Sequence, residues 1–98
     1  MKIFGYNYKV IFKDLNPTGG CHLGRHEFRN QTILIDSEAD KEQQLSTLLH
    51  EVIEAISSLN DLNLEHNKIC VLEVGLYNFL TSNKFGLELI DELNEKVP

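Results

Sequence analysis

Between Leu45 and Leu59 the chain places an apolar residue every three or four positions, at Leu45, Leu48, Leu49, Val52, Ile56 and Leu59. That is the period of a helix with one buried face. Just upstream, Asp36 and Ser37 offer side-chain oxygens to the unpaired N–H groups of a first turn, and Glu38, Asp40 and Glu42 suit the positive end of its dipole. The helix is therefore expected to begin there and to stop near Asn60. After the break Asn60-Asp61-Leu62-Asn63, a second helix is predicted from about Glu65 to Ser82, with Ile69, Leu72, Leu76, Phe79 and Leu80 on its core face. So short a connection forces the two helices antiparallel, and the rest of the chain must be built around that hairpin.

Towards the N-terminus the period changes to two. Phe4, Tyr6, Tyr8, Val10 and Phe12 fall on one side of the segment from Lys2 to Lys13, with Asn7, Lys9 and Lys13 on the other, which predicts one strand with a single buried face. Asn16-Pro17-Thr18-Gly19-Gly20 is turn chemistry. Residues 21–28 and 32–35, joined by Arg29-Asn30-Gln31, read as two more strands of a small antiparallel meander. In the last stretch Leu87, Ile90 and Leu93 suggest a short third helix, while Phe85, Leu87 and Leu89 also fit a strand. The predicted fold class is α+β, a three-stranded antiparallel sheet packed on an antiparallel helical hairpin. Residues 1–98 form a single domain, because 98 residues have room for one core.

Charge and hydropathy exclude several kinds of partner. Nine Lys and Arg against fifteen Asp and Glu give a formal charge of -6, and no basic cluster is dense enough to neutralise a row of phosphates, so direct nucleic-acid binding is not expected. No apolar run approaches the roughly 20 residues of a membrane span, and the N-terminus lacks the apolar region of a signal peptide. No membrane partner is expected, and the localisation expected is cytoplasmic. Cys21 and Cys70 belong to no CxxC motif, which favours free thiols in a reducing compartment. Nothing in the sequence encodes the oligomeric state.

The chemistry concentrates in the middle of the first helix, at His50-Glu51-Val52-Ile53-Glu54. His50 and Glu54 lie one turn apart on one face, so an imidazole and a carboxylate can reach one metal ion. Glu51, rotated by about 100°, can touch a metal-bound water without being a ligand. The bland alternative is a solvated face, since Gln43, Thr47 and Ser58 share it opposite the leucine stripe. On the second helix His66, Cys70, Glu73 and Tyr77 follow at i, i+4, i+7 and i+11 among apolar residues, and a carboxylate on a packed face needs a partner. Either His66, near the turn, or Glu73, further along, is within reach of the motif. Choosing His66 gives a His2Glu set suited to Zn2+, with Glu73 as an alternative fourth ligand or an orienting group. Cys70 is a candidate soft ligand or a small apolar residue. Tyr77 is either a core aromatic or a donor to a developing oxyanion. A rival cluster, Cys21, His22 and His26, is weak, because four residues of strand span about 13 Å unless Gly24 introduces a bend.

The order of Thr32-Ile33-Leu34-Ile35-Asp36, a polar stretch, the motif helix and a following helix resembles the ImmA/IrrE-type zincin-like metallopeptidases, above all the very short versions from phages and mobile elements. The resemblance covers roughly residues 20 to 83 and is sharpest over Thr47-Leu48-Leu49-His50-Glu51-Val52-Ile53-Glu54-Ala55-Ile56 and Leu72-Glu73-Val74-Gly75-Leu76-Tyr77. It implies His50 as a zinc ligand, Glu51 as general base, a further ligand from the next helix, and metal-dependent hydrolysis of a peptide or protein substrate. In zincins the substrate pairs with an edge strand beside the motif helix, a role that falls to the 21–28 hairpin. Glu54 stands where the family pattern has histidine. That departure keeps open a second expectation, a non-catalytic zincin-like module that binds another protein.

Overall fold

The structure, a computed structural model, describes residues 1–83 and 86–95. Five short strands precede three helices: β1 (Lys2–Ile3), β2 (Tyr6–Asn7), β3 (Lys9–Lys13), β4 (Gly24–Glu27), β5 (Thr32–Asp36), α1 (Lys41–Leu59), α2 (His66–Ser82) and α3 (Gly86–Glu95). The α+β class holds. Among the described residues no helix is long and apolar enough to cross a membrane.

The sheet differs from the predicted meander in two ways. First, the N-terminal strand is broken. Phe4 (φ 48°) and Gly5 (φ 81°) turn the chain through the left-handed region, so β1 and β2 pair as a separate hairpin. That turn cancels the alternation: Ile3 and Tyr8 are buried, whereas Phe4, at 65% exposure, and Tyr6 face outward. Second, the main sheet has the order β3-β5-β4, with β3 parallel and β4 antiparallel to β5. It is mixed rather than antiparallel. Thr32-Ile33-Leu34-Ile35, buried throughout, suits the central position that β5 takes in it. In β3, Val10 and Phe12 do turn inward onto the core.

α1 lies across the inner face, where Leu45, Leu48 and Ala55 meet Ile33 and Ile35, with Ile3, Tyr8 and Ile90 completing the buried cluster. The helix begins four residues later than predicted. Its cap is Asp40, whose carboxylate accepts from the Gln43 N–H at 2.8 Å. Asp36 cannot serve there, because it ends β5, and its carboxylate accepts from the N–H groups of Leu15 and Glu38 and from Asn16 Nδ2. Gln44, buried in the first turn, donates to the Asp36 carbonyl at 3.1 Å and ties helix to strand.

α1 ends as predicted at Asn60, and Asp61 and Asn63, at φ 55° and 52°, reverse the chain. The buried Ser57 hydroxyl accepts from the Leu64 N–H at 3.0 Å and holds that reversal closed. The helices run antiparallel: Ser46 and His50 meet Glu73, while Ser57 meets Leu64. The predicted core face of α2 needs correction. Ile69 is buried and Tyr77 packs on the core, but Leu72, Leu76 and Phe79 are exposed, as are Val71 and Val74. α2 is apolar around much of its circumference, so periodicity does not select the covered side. The third helix is present, with Ile90 buried and Leu89 and Leu93 packed on the core; Phe85, part of the strand alternative, lies outside the described residues.

Candidate functional site

α1 and α2 bring the singled-out side chains together at half-height. Lengthwise, α1 supplies Ser46, His50 and Glu54 at successive turns, and α2 answers with Glu73, Cys70 and His66 in the opposite order. The His50 ring lies between two carboxylates, with Nδ1 at 2.8 Å from Glu73 Oε1 and Nε2 at 3.2 Å from Glu54 Oε1. The ring of His66 is 5.4 Å from that of His50, centre to centre. Ser46 donates a short hydrogen bond to the second oxygen of Glu73. Ser46 was not among the residues chosen from sequence, although its place one turn before His50 on the same face was the available signal.

Two groups of donor atoms could hold a metal ion. One nitrogen each from His50 and His66 and one oxygen from Glu54 lie within 4.8 Å of one another. A second group, His50, Cys70 and Glu73, meets the same limit. Two imidazoles and a carboxylate suit a divalent ion of borderline softness, zinc among them. Both candidates to complete the site, His66 and Glu73, thus lie beside His50, each in a separate group of converging donors. A histidine that offers one nitrogen to a metal commonly gives the other to a carboxylate, and Glu73 has that position.

Glu51 lies beside this group and is only 5% exposed. Burial is the main reason its pKa is pushed up to about 7; the Glu54 charge and a hydrogen bond with Glu54 add to the rise, and His50 opposes it. Its covering is β4: a Cβ built on Gly24 would sit 2.2 Å from Thr47 Cγ2 and 3.6 Å from Glu51 Cγ. Only a glycine lets the strand approach α1 so closely. The imidazole of His50 is pulled down by burial, its largest single influence, yet the hydrogen bond to Glu73 and the charges of Glu54, Glu51 and Glu73 together raise it above the ordinary value. When charged, the ring donates from both nitrogens to the two flanking carboxylates.

A cavity of about 480 Å³ opens on His50, Glu54 and Glu73, whereas His66 and Cys70 are not part of its wall. One wall is α1 and α2, with Gln43, Ser46, Thr47, His50, Glu51, Glu54 and Glu73; the other is the approach to β4, with Cys21, His22, Leu23 and Gly24. β4 is an edge of the main sheet, so its outward side offers a place for an extended chain to pair. The loop before it is held by Asn16, which donates to the His22 carbonyl at 2.8 Å and accepts from its N–H at 2.7 Å.

The remaining candidates separate. Cys21 and His22 line the cavity, but His26 lies beyond, with its Nε2 3.3 Å from the Tyr8 hydroxyl. Among the described residues these three form no group of converging donors. Tyr77 packs against the core and is not part of the cavity wall, which places it with the core aromatics. Both cysteines are free thiols. Comparison with protein-family models, with curated proteins and with solved structures finds no match to this chain.

Proposed function

We propose that the chain is a small metal-dependent peptidase of zincin-like organisation, similar to the ImmA/IrrE-type enzymes, with zinc held by His50, Glu54 and His66 and with Glu51 as general base. One observation carries the reading: on two different helices, two imidazole nitrogens and a carboxylate oxygen converge within 4.8 Å, while the remaining nitrogen of His50 is engaged by Glu73. A cation bound there supplies Lewis-acid polarisation of a carbonyl and makes water easier to deprotonate. Glu73 accepts the Nδ1 proton of His50 and so leaves Nε2 as its ligating atom. Glu51, buried beside the group and lining the cavity, is placed to take a proton from water at a carboxylate oxygen and return it to a leaving amine. The free edge of β4 aligns an extended peptide over the cavity by backbone pairing.

Metal analysis and two variants test this. Protein purified without chelator is expected to carry one equivalent of zinc, and His50→Ala to carry none. Glu51→Gln is expected to keep the metal and to lose peptide cleavage. A chain that binds no zinc, or a Glu51→Gln variant that cleaves normally, overturns the proposal. A second reading, a protein-binding module without catalysis, draws on the outward apolar face of α2, where Val71, Val74 and Phe79 are exposed. On that reading Glu51→Gln leaves partner binding unchanged, and Phe79→Asp abolishes it.

A further inference from the structure

Cys70 has no part in the His50, Glu54 and His66 set, yet it occupies the same face of α2, one turn after His66 and three residues before Glu73. Its Sγ lies 3.4 Å from Nε2 of His66. With one atom each from His50 and Glu73 it forms the second convergent group within 4.8 Å. The two groups share only His50, and that imidazole has a different carboxylate at each nitrogen, Glu73 at Nδ1 and Glu54 at Nε2.

We infer that the site contains two overlapping ion positions, and that a thiophilic divalent ion takes the sulfur of Cys70 as a ligand together with His50 and Glu73. This rests on the metal reading above and adds a ligand to it. On binding, the thiol releases its proton to solvent and the sulfur forms the bond to the ion. Glu73 then passes from orienting His50 to holding the ion itself. Thiolate donors select zinc, cobalt or cadmium over magnesium or calcium, which gives the site a selectivity that two imidazoles and a carboxylate alone supply less sharply. The occupant of this position is a metal ion of the soft or borderline class. Cys21, on the opposite wall of the cavity, provides the internal control.

The test is a Co2+ titration of the full chain, kept reduced and free of air, read by absorption in the near ultraviolet and the visible. Expected is a sulfur-to-cobalt charge-transfer band that disappears in Cys70→Ser and survives in Cys21→Ser and Glu54→Gln. A visible ligand-field band without charge transfer overturns this inference and leaves the His50, Glu54 and His66 set standing. Loss of the band in Cys21→Ser instead overturns the assignment to Cys70. Absence of any cobalt spectrum overturns both the inference and the metal reading beneath it. Alkylation of the unmutated chain decides the matter even if Cys70→Ser fails to fold: zinc is expected to slow modification of Cys70 and leave Cys21 unchanged, and equal rates for Cys70 with and without zinc refute the proposal.

Discussion

Replacing Glu51 by glutamine should stabilise the metal-free protein, and by an amount that depends on pH. In the unfolded chain this carboxyl ionises at 4.5, whereas in the fold burial and the neighbouring Glu54 push it up to about 7. Between those values the folded state holds a proton that the unfolded state has released, so stability falls as pH rises through the window and levels off above it. At ~1.4 kcal/mol per pH unit the full cost approaches about 3 kcal/mol above neutrality, and only a fraction of it is felt near pH 5. Glutamine has nearly the same shape and no such titration. In the presence of chelator, urea unfolding followed by circular dichroism should therefore show Glu51→Gln gaining on the parent protein by about 2 kcal/mol between about pH 5 and about pH 8. Glu51 is one of the charges that raise His50, so part of the pH-dependent difference is carried by that imidazole. A stability difference that does not change with pH, or a variant less stable than the parent near pH 8, would refute the claim that Glu51 is desolvated by its surroundings.

Four further outcomes follow from the same geometry. Glu73→Gln should weaken zinc binding by about 10- to 100-fold in equilibrium dialysis while leaving the far-ultraviolet spectrum unchanged; unchanged affinity would show that its bond to His50 has no orienting role. Gly24→Ala places a Cβ against Thr47 Cγ2 and 3.0 Å from the Leu34 carbonyl oxygen, and should cost about 1–3 kcal/mol in urea unfolding, partly recovered when Thr47→Ser removes the opposing methyl; no recovery means that the strand approaches elsewhere. His26, held below its ordinary value chiefly by burial, should contribute a loss of stability as pH falls through 6.5, because the unfolded chain takes up the proton first; His26→Phe should remove that part of the acid limb, and an identical limb in both proteins would contradict its burial. Leu48→Ala should cost about 2–5 kcal/mol, whereas Val71→Ala, at 72% exposure, should stay within about 0.5 kcal/mol; comparable losses would mean that α2 presents a different face to α1.

α1 was the most legible part of the sequence, because its apolar repeat fits a helix and nothing else; α2 was legible as a helix but not in its covered face, and the repeat in α3 also fitted a strand. Their ends were legible where one residue type decides, as at Asn60, and misread where several compete. Asp36, Ser37 and Asp40 all have capping chemistry, and the choice fell to Asp40 because Asp36 was already committed to the loop at Leu15 and Asn16. The strands were misread for a related reason. Alternation from Phe4 to Phe12 is a statement about side chains, and it gave no weight to Gly5, whose left-handed backbone breaks the run. The central position of β5 was available in the unbroken apolar run Thr32-Ile33-Leu34-Ile35, which suits a strand with a partner on each side; the parallel direction of β3 was not.

The site was legible to the extent that helical spacing is rigid. One turn separates His50 from Glu54, and a short connection aligns His66, Cys70 and Glu73 opposite them. Spacing does not reveal which nitrogen of a shared imidazole faces which carboxylate, nor which carboxylate loses its water. Both depend on contacts across elements. Glu51 and Glu54 differ by three positions on one helix, yet Glu51 is covered and Glu54 partly open, because β4 crosses α1 at Gly24. Gly24, the one residue whose bend would bring Cys21, His22 and His26 together, has a different consequence in the fold. By allowing an edge strand to lie directly on Thr47 and Glu51, it covers one side of the carboxyl proposed as base, which still lines the cavity. One residue without a side chain thus couples the acidity of Glu51 to the position of β4, so a substitution that lifts the strand should lower the pKa of Glu51 towards its ordinary value even though no atom of the metal group has been changed.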